Sequence, residues 1–311
     1  MTIQFTLKPI PPFRLDLTVL ALRRRPLNQI DRWEKNRYTR IFLCKNEPVK
    51  TTVYQIGTIK QPKLIVEAKN NGNTAVSKNG ITGLLKKTLG LNIGLDKFYK
   101  LVENDEDLQE LTYGLVGMKP PCFPTVFEAA VNAVACQQIT LDNSIKLLNR
   151  LSRRYGTHYD DQLSAFPTPE NLYRRKANDL RQLGFSYQKA NAIIGLVRAM
   201  VEKKLFLEKL ENEDMVDVYA YLHQIKGIGR WSIEYILLRG LGKLNVFPGD
   251  DAGAQKKLQK YFHTDIKLSY EKVKKLTFRW QPYAGFIYFH LLLNGLMKKS
   301  SSVKPLVVTY S

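Results

Sequence analysis

Two adjacent carboxylates, Asp250 and Asp251, end the segment Phe247-Pro248-Gly249-Asp250-Asp251, and Asp251 lies 22 residues after Gly229 of Lys226-Gly227-Ile228-Gly229-Arg230-Trp231-Ser232. Pro-Gly predicts a turn and the stretch to Phe262 a helix, so one of the two acids stands at or near a helix N-terminus. Taken alone, an Asp at that place is a helix cap. Two side by side let one cap while the other points into a cleft. The positive end of the helix dipole favours an anion there, suited to stabilising positive charge on a sugar and to orienting an attacking water.

The two glycines interrupt an otherwise helical pattern, which predicts a helix-hairpin-helix. The helix starting near Arg230 would aim free backbone N–H groups at the hairpin, where a phosphate binds well. Gly227, Ile228, Gly229 and Arg230 thus form a candidate grip for a DNA backbone, one that positions the duplex without reading bases. The turn carbonyls remain free for a monovalent cation. Trp231 and Tyr235 are four residues apart and share a helix face, and Trp280 and Tyr283, near Pro282, are further candidates for the same cleft. Such an aromatic slot would stack a base rotated out of the duplex, a cationic one most strongly. His223, Lys226, Arg230, Lys256, Lys257 and Lys260 surround these segments as candidate phosphate contacts.

The elements that must hold these residues fall into two regions. Ile3 to Leu7, Tyr38 to Leu43, Thr52 to Ile56 and Lys63 to Glu67 alternate apolar and polar side chains, which predicts strands of a half-exposed antiparallel sheet. A helix is expected over Leu15 to Arg25, ended by Pro26. From about Thr82 the period becomes helical. Phe127 to Tyr155 should break near Gln137-Gln138-Ile139-Thr140 and be capped by Gly156, and Thr168 should cap a helix whose first residue is Pro169. Further helices are expected at about 177–183, 187–203, 215–224, 230–240, 251–262, 270–278 and 281–298. The fold class is therefore α+β, with a small N-terminal antiparallel sheet unit and its connecting helices over 1–112, a mostly helical unit over 113–299 and a loosely held tail over 300–311.

Whole-chain totals agree with a polyanionic partner. The 311 residues carry a formal net charge of +20, and the excess is spread as +8 over residues 1–112 and +12 over the rest, so it is not a detachable basic arm. Cys44, Cys122 and Cys136 are too few and scattered for a disulfide framework or a four-cysteine cluster, which points to a reducing compartment. No apolar run approaches ~18 residues and the N-terminus has no leader pattern, so a soluble, cytoplasmic chain without a membrane partner is expected. No P-loop, Ser/His/Asp order or His/Cys metal spacing is visible.

In their order, these motifs resemble the helix-hairpin-helix DNA glycosylase superfamily and, within it, the 3-methyladenine DNA glycosylase II family. The resemblance runs from Phe127-Glu128 and Cys136-Gln137-Gln138-Ile139-Thr140 through Phe166-Pro167-Thr168-Pro169, Leu183-Gly184-Phe185 and Lys189-Ala190. It continues through the hairpin and the Asp250-Asp251 segment to Trp280-Gln281-Pro282-Tyr283. It implies that Asp251, rather than Asp250, is the catalytic aspartate. It also implies base-pocket roles for Trp231, Tyr235 and Tyr283, cation coordination by the carbonyls of His223, Ile225 and Ile228, and a wedge at Gln138. The family pattern commonly has Trp where Tyr283 stands, Arg at Ala284 and an apolar wedge at Gln138, so pocket shape and substrate range are the points of departure. Relatives that also cut the strand carry a lysine at the position of Trp231; none occurs from Trp231 to Leu238.

The expected activity is that of a monofunctional N-glycosylase releasing alkylated purines, of the 3-methyladenine and 7-methylguanine type, from double-stranded DNA in base excision repair. It would act as a monomer and without a required cofactor beyond the possible hairpin cation. Two other readings stay open: an oxidised-base glycosylase with lyase activity, disfavoured by the missing lysine, and a non-catalytic, structure-selective DNA-binding module, disfavoured by Asp251 at its motif position.

Overall fold

The computed structural model describes residues 1–72, 74–202 and 204–297, with side chains described to residue 294. The expected tail over 300–311 lies outside the described residues. The chain runs β1 (Thr2–Leu7), α1 (Leu15–Arg23), β2 (Arg32–Glu34), β3 (Arg37–Cys44), β4 (Glu47–Gly57), β5 (Pro62–Asn70), α2 (Lys78–Leu89), α3 (Asp96–Glu103) and α4 (Glu106–Thr112). Helices then follow as α5 (Val126–Cys136), α6 (Leu141–Tyr155), α7 (Pro169–Tyr173), α8 (Ala177–Gln182), α9 (Tyr187–Val201), α10 (Met215–His223), α11 (Arg230–Arg239), α12 (Ala252–Tyr261), α13 (Tyr270–Thr277) and α14 (Ala284–Met297).

The sheet is antiparallel throughout in the order β1-β5-β4-β3-β2, with Phe5 opposite Val66 and Val53 opposite both Tyr38 and Val66. Its inner face packs on α1 and α2 through Phe13, Val19, Leu22, Ile81 and Leu85. The short β2 was not expected; three residues are too few for a visible alternation. Gly156 does end α6, but with an extended backbone (φ −72°) rather than the left-handed cap that glycine usually supplies. Thr168 caps α7 with Pro169 as its first residue, in a reciprocal arrangement with Asn171.

Two apolar cores fill the helical part. One joins α5, α6, α9, α10 and α11; the other joins α3 and α4 to α12, α13 and α14, and takes Leu17 and Ala21 from α1. The second core encloses His290, 2% exposed, its ring against Phe98 and Phe286 and its Nδ1–H donated to the Phe286 carbonyl (2.9 Å). Burial pushes this imidazole down to about 4 from an ordinary 6.5. Between those values only the unfolded chain takes up the proton, so stability is retained above pH 6.5 and lost as pH falls towards 4. Urea unfolding should show about 2 kcal/mol lost between pH 7 and pH 5 from this residue. His290→Leu should remove that component of the acid limb; an unchanged limb would sink the assignment.

Candidate active site

A cleft of about 1370 Å³ opens between the two helical cores, and its lining includes Trp231, Tyr235, Asp251, Tyr288, Arg24 and Gln138. The hairpin leads from α10 to Trp231 at the cleft wall. Gly227 has φ +90°, and a Cβ there would lie 2.6 Å from the Ala192 Cβ, so this position needs glycine twice over. Gly229 differs from the sequence expectation: its φ of −92° is open to any residue, and a Cβ would meet nothing within 4 Å. Its lack of a side chain instead leaves open space beside the start of α11. No side chain caps that start, so the N–H groups of its first turn face outward. The Gly227 carbonyl accepts from Gln137 Nε2 (2.9 Å) and the Ile225 carbonyl from the Ile228 N–H (3.0 Å); His223 is exposed at the end of α10.

The two carboxylates divide their work otherwise than expected. Asp251 is both the cap and the cleft residue. Its Oδ1 accepts the Ala254 N–H (2.8 Å), while Oδ2 accepts from Trp231 Nε1 (3.2 Å) and the Tyr288 hydroxyl (3.0 Å). Asp250 is taken by Arg230 through two bonds, 2.7 and 3.1 Å, and the Arg230 guanidinium lies 3.6 Å from the centroid of the Tyr270 ring. Arg230 is therefore committed to the loop, leaving its backbone rather than its side chain for a phosphate. Burial, with Asp251 alongside, raises Tyr288 well above the ordinary tyrosine range, so it stays a neutral donor to the carboxylate.

Trp231 and Tyr235 stand as a pair, ring centroids 5.2 Å apart at 32°, with Trp231 half-buried and Tyr235 buried. Trp280 and Tyr283 do not join them. Trp280 is fully buried and stacks on Phe262 (5.8 Å), and Tyr283 packs edge-on against Phe98 (5.5 Å); neither lines the cleft. The turn at Pro282 directs both into the second core, where an apolar ring gains more by burial than at a cleft wall. Gln138 sits exposed at the cleft rim with φ +53°, in the break between α5 and α6. Of the basic residues, Lys226, Lys256 and Lys260 are exposed, whereas Lys257 donates to the carbonyls of Leu291 and Leu292 and is lowered by burial.

Among the cleft residues not anticipated, Tyr288 and Arg24 touch the carboxylate and the aromatic pair. Tyr288 lies in an apolar helix where nothing in the local pattern marks it. Arg24 belongs to a run, Arg23-Arg24-Arg25, that looks like a solvated helix end, yet its backbone turns left-handed (φ 62°) and its guanidinium donates to Tyr235 Oη (2.9 Å) and Asn132 Oδ1 (3.2 Å). Arg239, 1% exposed on α11, holds this end of α1 by donating to the Ala21 and Leu22 carbonyls. The sheet unit thereby contributes a cation to the cleft floor.

Residues 131–282 match the model of the HhH-GPD superfamily of base excision DNA repair proteins. A solved 3-methyladenine DNA glycosylase from Archaeoglobus fulgidus superposes with TM-score 0.81 at 26% identity, covering 94% of this chain and 99% of that one. A Bacillus subtilis DNA-3-methyladenine glycosylase is 24% identical over 77% of this chain and 81% of its own length. DNA-3-methyladenine glycosylase 2 of Escherichia coli is 27% identical over 56% of this chain and 60% of its own.

Proposed function

Because this chain belongs to the HhH-GPD superfamily of base excision DNA repair proteins, we propose that it is a monofunctional DNA N-glycosylase that releases alkylated purines. One observation carries the reading: Asp251 Oδ2 sits in the cleft beside the Trp231–Tyr235 pair and on the same side as the uncapped start of α11. The α11 N–H groups would hold a phosphate of the duplex, and the damaged nucleotide would swing into the cleft at a cost of a few kcal/mol, least for a weakened pair. Its base would stack on Trp231 and Tyr235. Asp251 would then stabilise the cationic sugar and orient the water that attacks it. An alkylated purine is already cationic and leaves without a general acid, which suits a cleft whose other lining carboxylate, Asp250, is ion-paired.

The lyase reading needs a free amine at the sugar. No lysine occurs on α11, where strand-cutting relatives would carry it; of the three lysines lining the cleft, Lys189 and Lys257 donate Nζ to main-chain carbonyls, and Lys256 is exposed on α12. Incubation with methylated duplex DNA is expected to release 3-methyladenine and 7-methylguanine, leaving abasic strands intact and no covalent adduct on borohydride reduction. Absence of both bases would overturn the glycosylase reading. A trapped adduct would overturn its monofunctional part.

A further inference from the structure

Asp251 can act only if the loop that carries it is fixed relative to the helix that grips DNA, and that loop is held by a buried charge on α11. Glu234, 3% exposed, lies three residues after Trp231 on that helix. Its Oε2 accepts the Gly249 N–H (2.8 Å), and its Oε1 accepts the Tyr270 hydroxyl (2.8 Å) and pairs with Lys274 Nζ (2.7 Å). Lys274 also donates to the Phe247 carbonyl (3.2 Å), and Gln255 of α12 donates to the Gly249 carbonyl (2.8 Å). Gly249 is pressed against Tyr270 so closely that a Cβ would stand 2.7 Å from its ring. A buried carboxylate is costly to desolvate, and an apolar side chain would pack here without that cost. What a carboxylate adds is an acceptor for a loop amide that would otherwise be buried and unpaired.

We propose that Glu234 is a positioning residue for Asp251, locking the 247–251 loop to α11 so that the phosphate grip, the stacking rings and the carboxylate form one rigid unit. The two ties run in opposite directions. Glu234 reaches from the helix to the loop amide, and Asp250 reaches from the loop to Arg230 at the first turn of the same helix. Tyr270 closes the arrangement from α13, touching both Glu234 and the Arg230 guanidinium. With the ties in place, a phosphate bound at the start of α11 fixes where the sugar lies relative to Asp251. A displacement of about 1 Å at that point is worth about 10²-fold in rate.

The inference rests on the glycosylase reading, and its test separates the two. Single-turnover base release and affinity for an abasic-site duplex would be measured for the wild type, Glu234→Ala and Glu234→Gln, with hydrogen exchange of the 249–251 segment in parallel. Glu234→Ala should slow release by roughly 10- to 100-fold while changing affinity less than about threefold, and should speed exchange at Gly249. Glu234→Gln keeps an acceptor for the Gly249 amide and should recover most of the rate. Wild-type release from Glu234→Ala, or an equal loss of release and affinity in both variants, would overturn the proposal. If the wild type itself releases no base, the glycosylase reading fails, and the exchange at Gly249 alone decides whether Glu234 anchors the loop.

Discussion

Asp251→Asn is expected to slow base release by roughly 10²- to 10³-fold, the size of effect seen when one group aimed at transition-state charge is removed. The substitution is informative because of the double role of this residue. Asparagine caps a helix about as well as aspartate, so the bond from the Ala254 N–H to the side-chain oxygen survives and α12 keeps its start. With that oxygen on Ala254, the amide NH2 replaces Oδ2, so the Tyr288 hydroxyl can turn to accept from it and Trp231 Nε1 loses one partner. What disappears is the negative charge facing the cleft. Thermal midpoint and abasic-duplex affinity should therefore stay near wild type while the chemical step fails. Asp250→Asn is the matched control: it weakens a half-exposed pair with Arg230, worth about 0–1 kcal/mol, and release should fall by no more than a few fold. Equal losses in the two variants, or none at Asp251, would remove Asp251 from the mechanism.

The parts of this site that were legible in the sequence are those fixed by short-range chain geometry. A Gly-x-Gly between two helical patterns, an aspartate after a Pro-Gly turn and two aromatic residues four apart keep their relations whatever the rest of the fold does. The alternation of the first 70 residues likewise specified a sheet, because one of its faces is buried on α1 and α2. Trp280 and Tyr283 failed as predictions for the opposite reason. Their place depends on which core the helix after Pro282 packs against, and that is settled by Phe98, Tyr261 and Phe262 from distant segments. Arg24 and Tyr288 were missed on the same ground. Each looks ordinary among its neighbours in sequence, and only tertiary packing turns the first towards Tyr235 and the second towards Asp251.

The dependence of the cleft on the sheet unit gives Arg40→Met its expected outcome, a destabilisation of about 3–5 kcal/mol, the usual result of removing one partner from a buried ion pair. Arg40 on β3 is 2% exposed and bridges Asp31 (2.7 Å) to Glu128 of α5 (2.5 Å), with the Tyr38 hydroxyl also donated to Asp31 (2.9 Å). Without the guanidinium, two carboxylates remain buried with no compensating charge. The thermal midpoint should drop by about 2–4 °C per kcal/mol. Burial already raises the Glu128 carboxyl above the usual range, and Arg40 is what opposes that shift. Loss of Arg40 raises it further, so the folded variant holds a proton that the unfolded chain releases. Its stability is then greatest below the ordinary carboxyl pKa and falls as pH rises through the folded-state value. The deficit of Arg40→Met should accordingly be smaller at pH 5 than at pH 7.5 in urea titrations. Base release should weaken as well, because Glu128 and Asn132 are one turn apart on α5, and Asn132 is the residue that receives Arg24 at the cleft floor. A variant with the wild-type midpoint at both pH values would show that the Arg40 ion pairs do not hold the sheet to the helical cores.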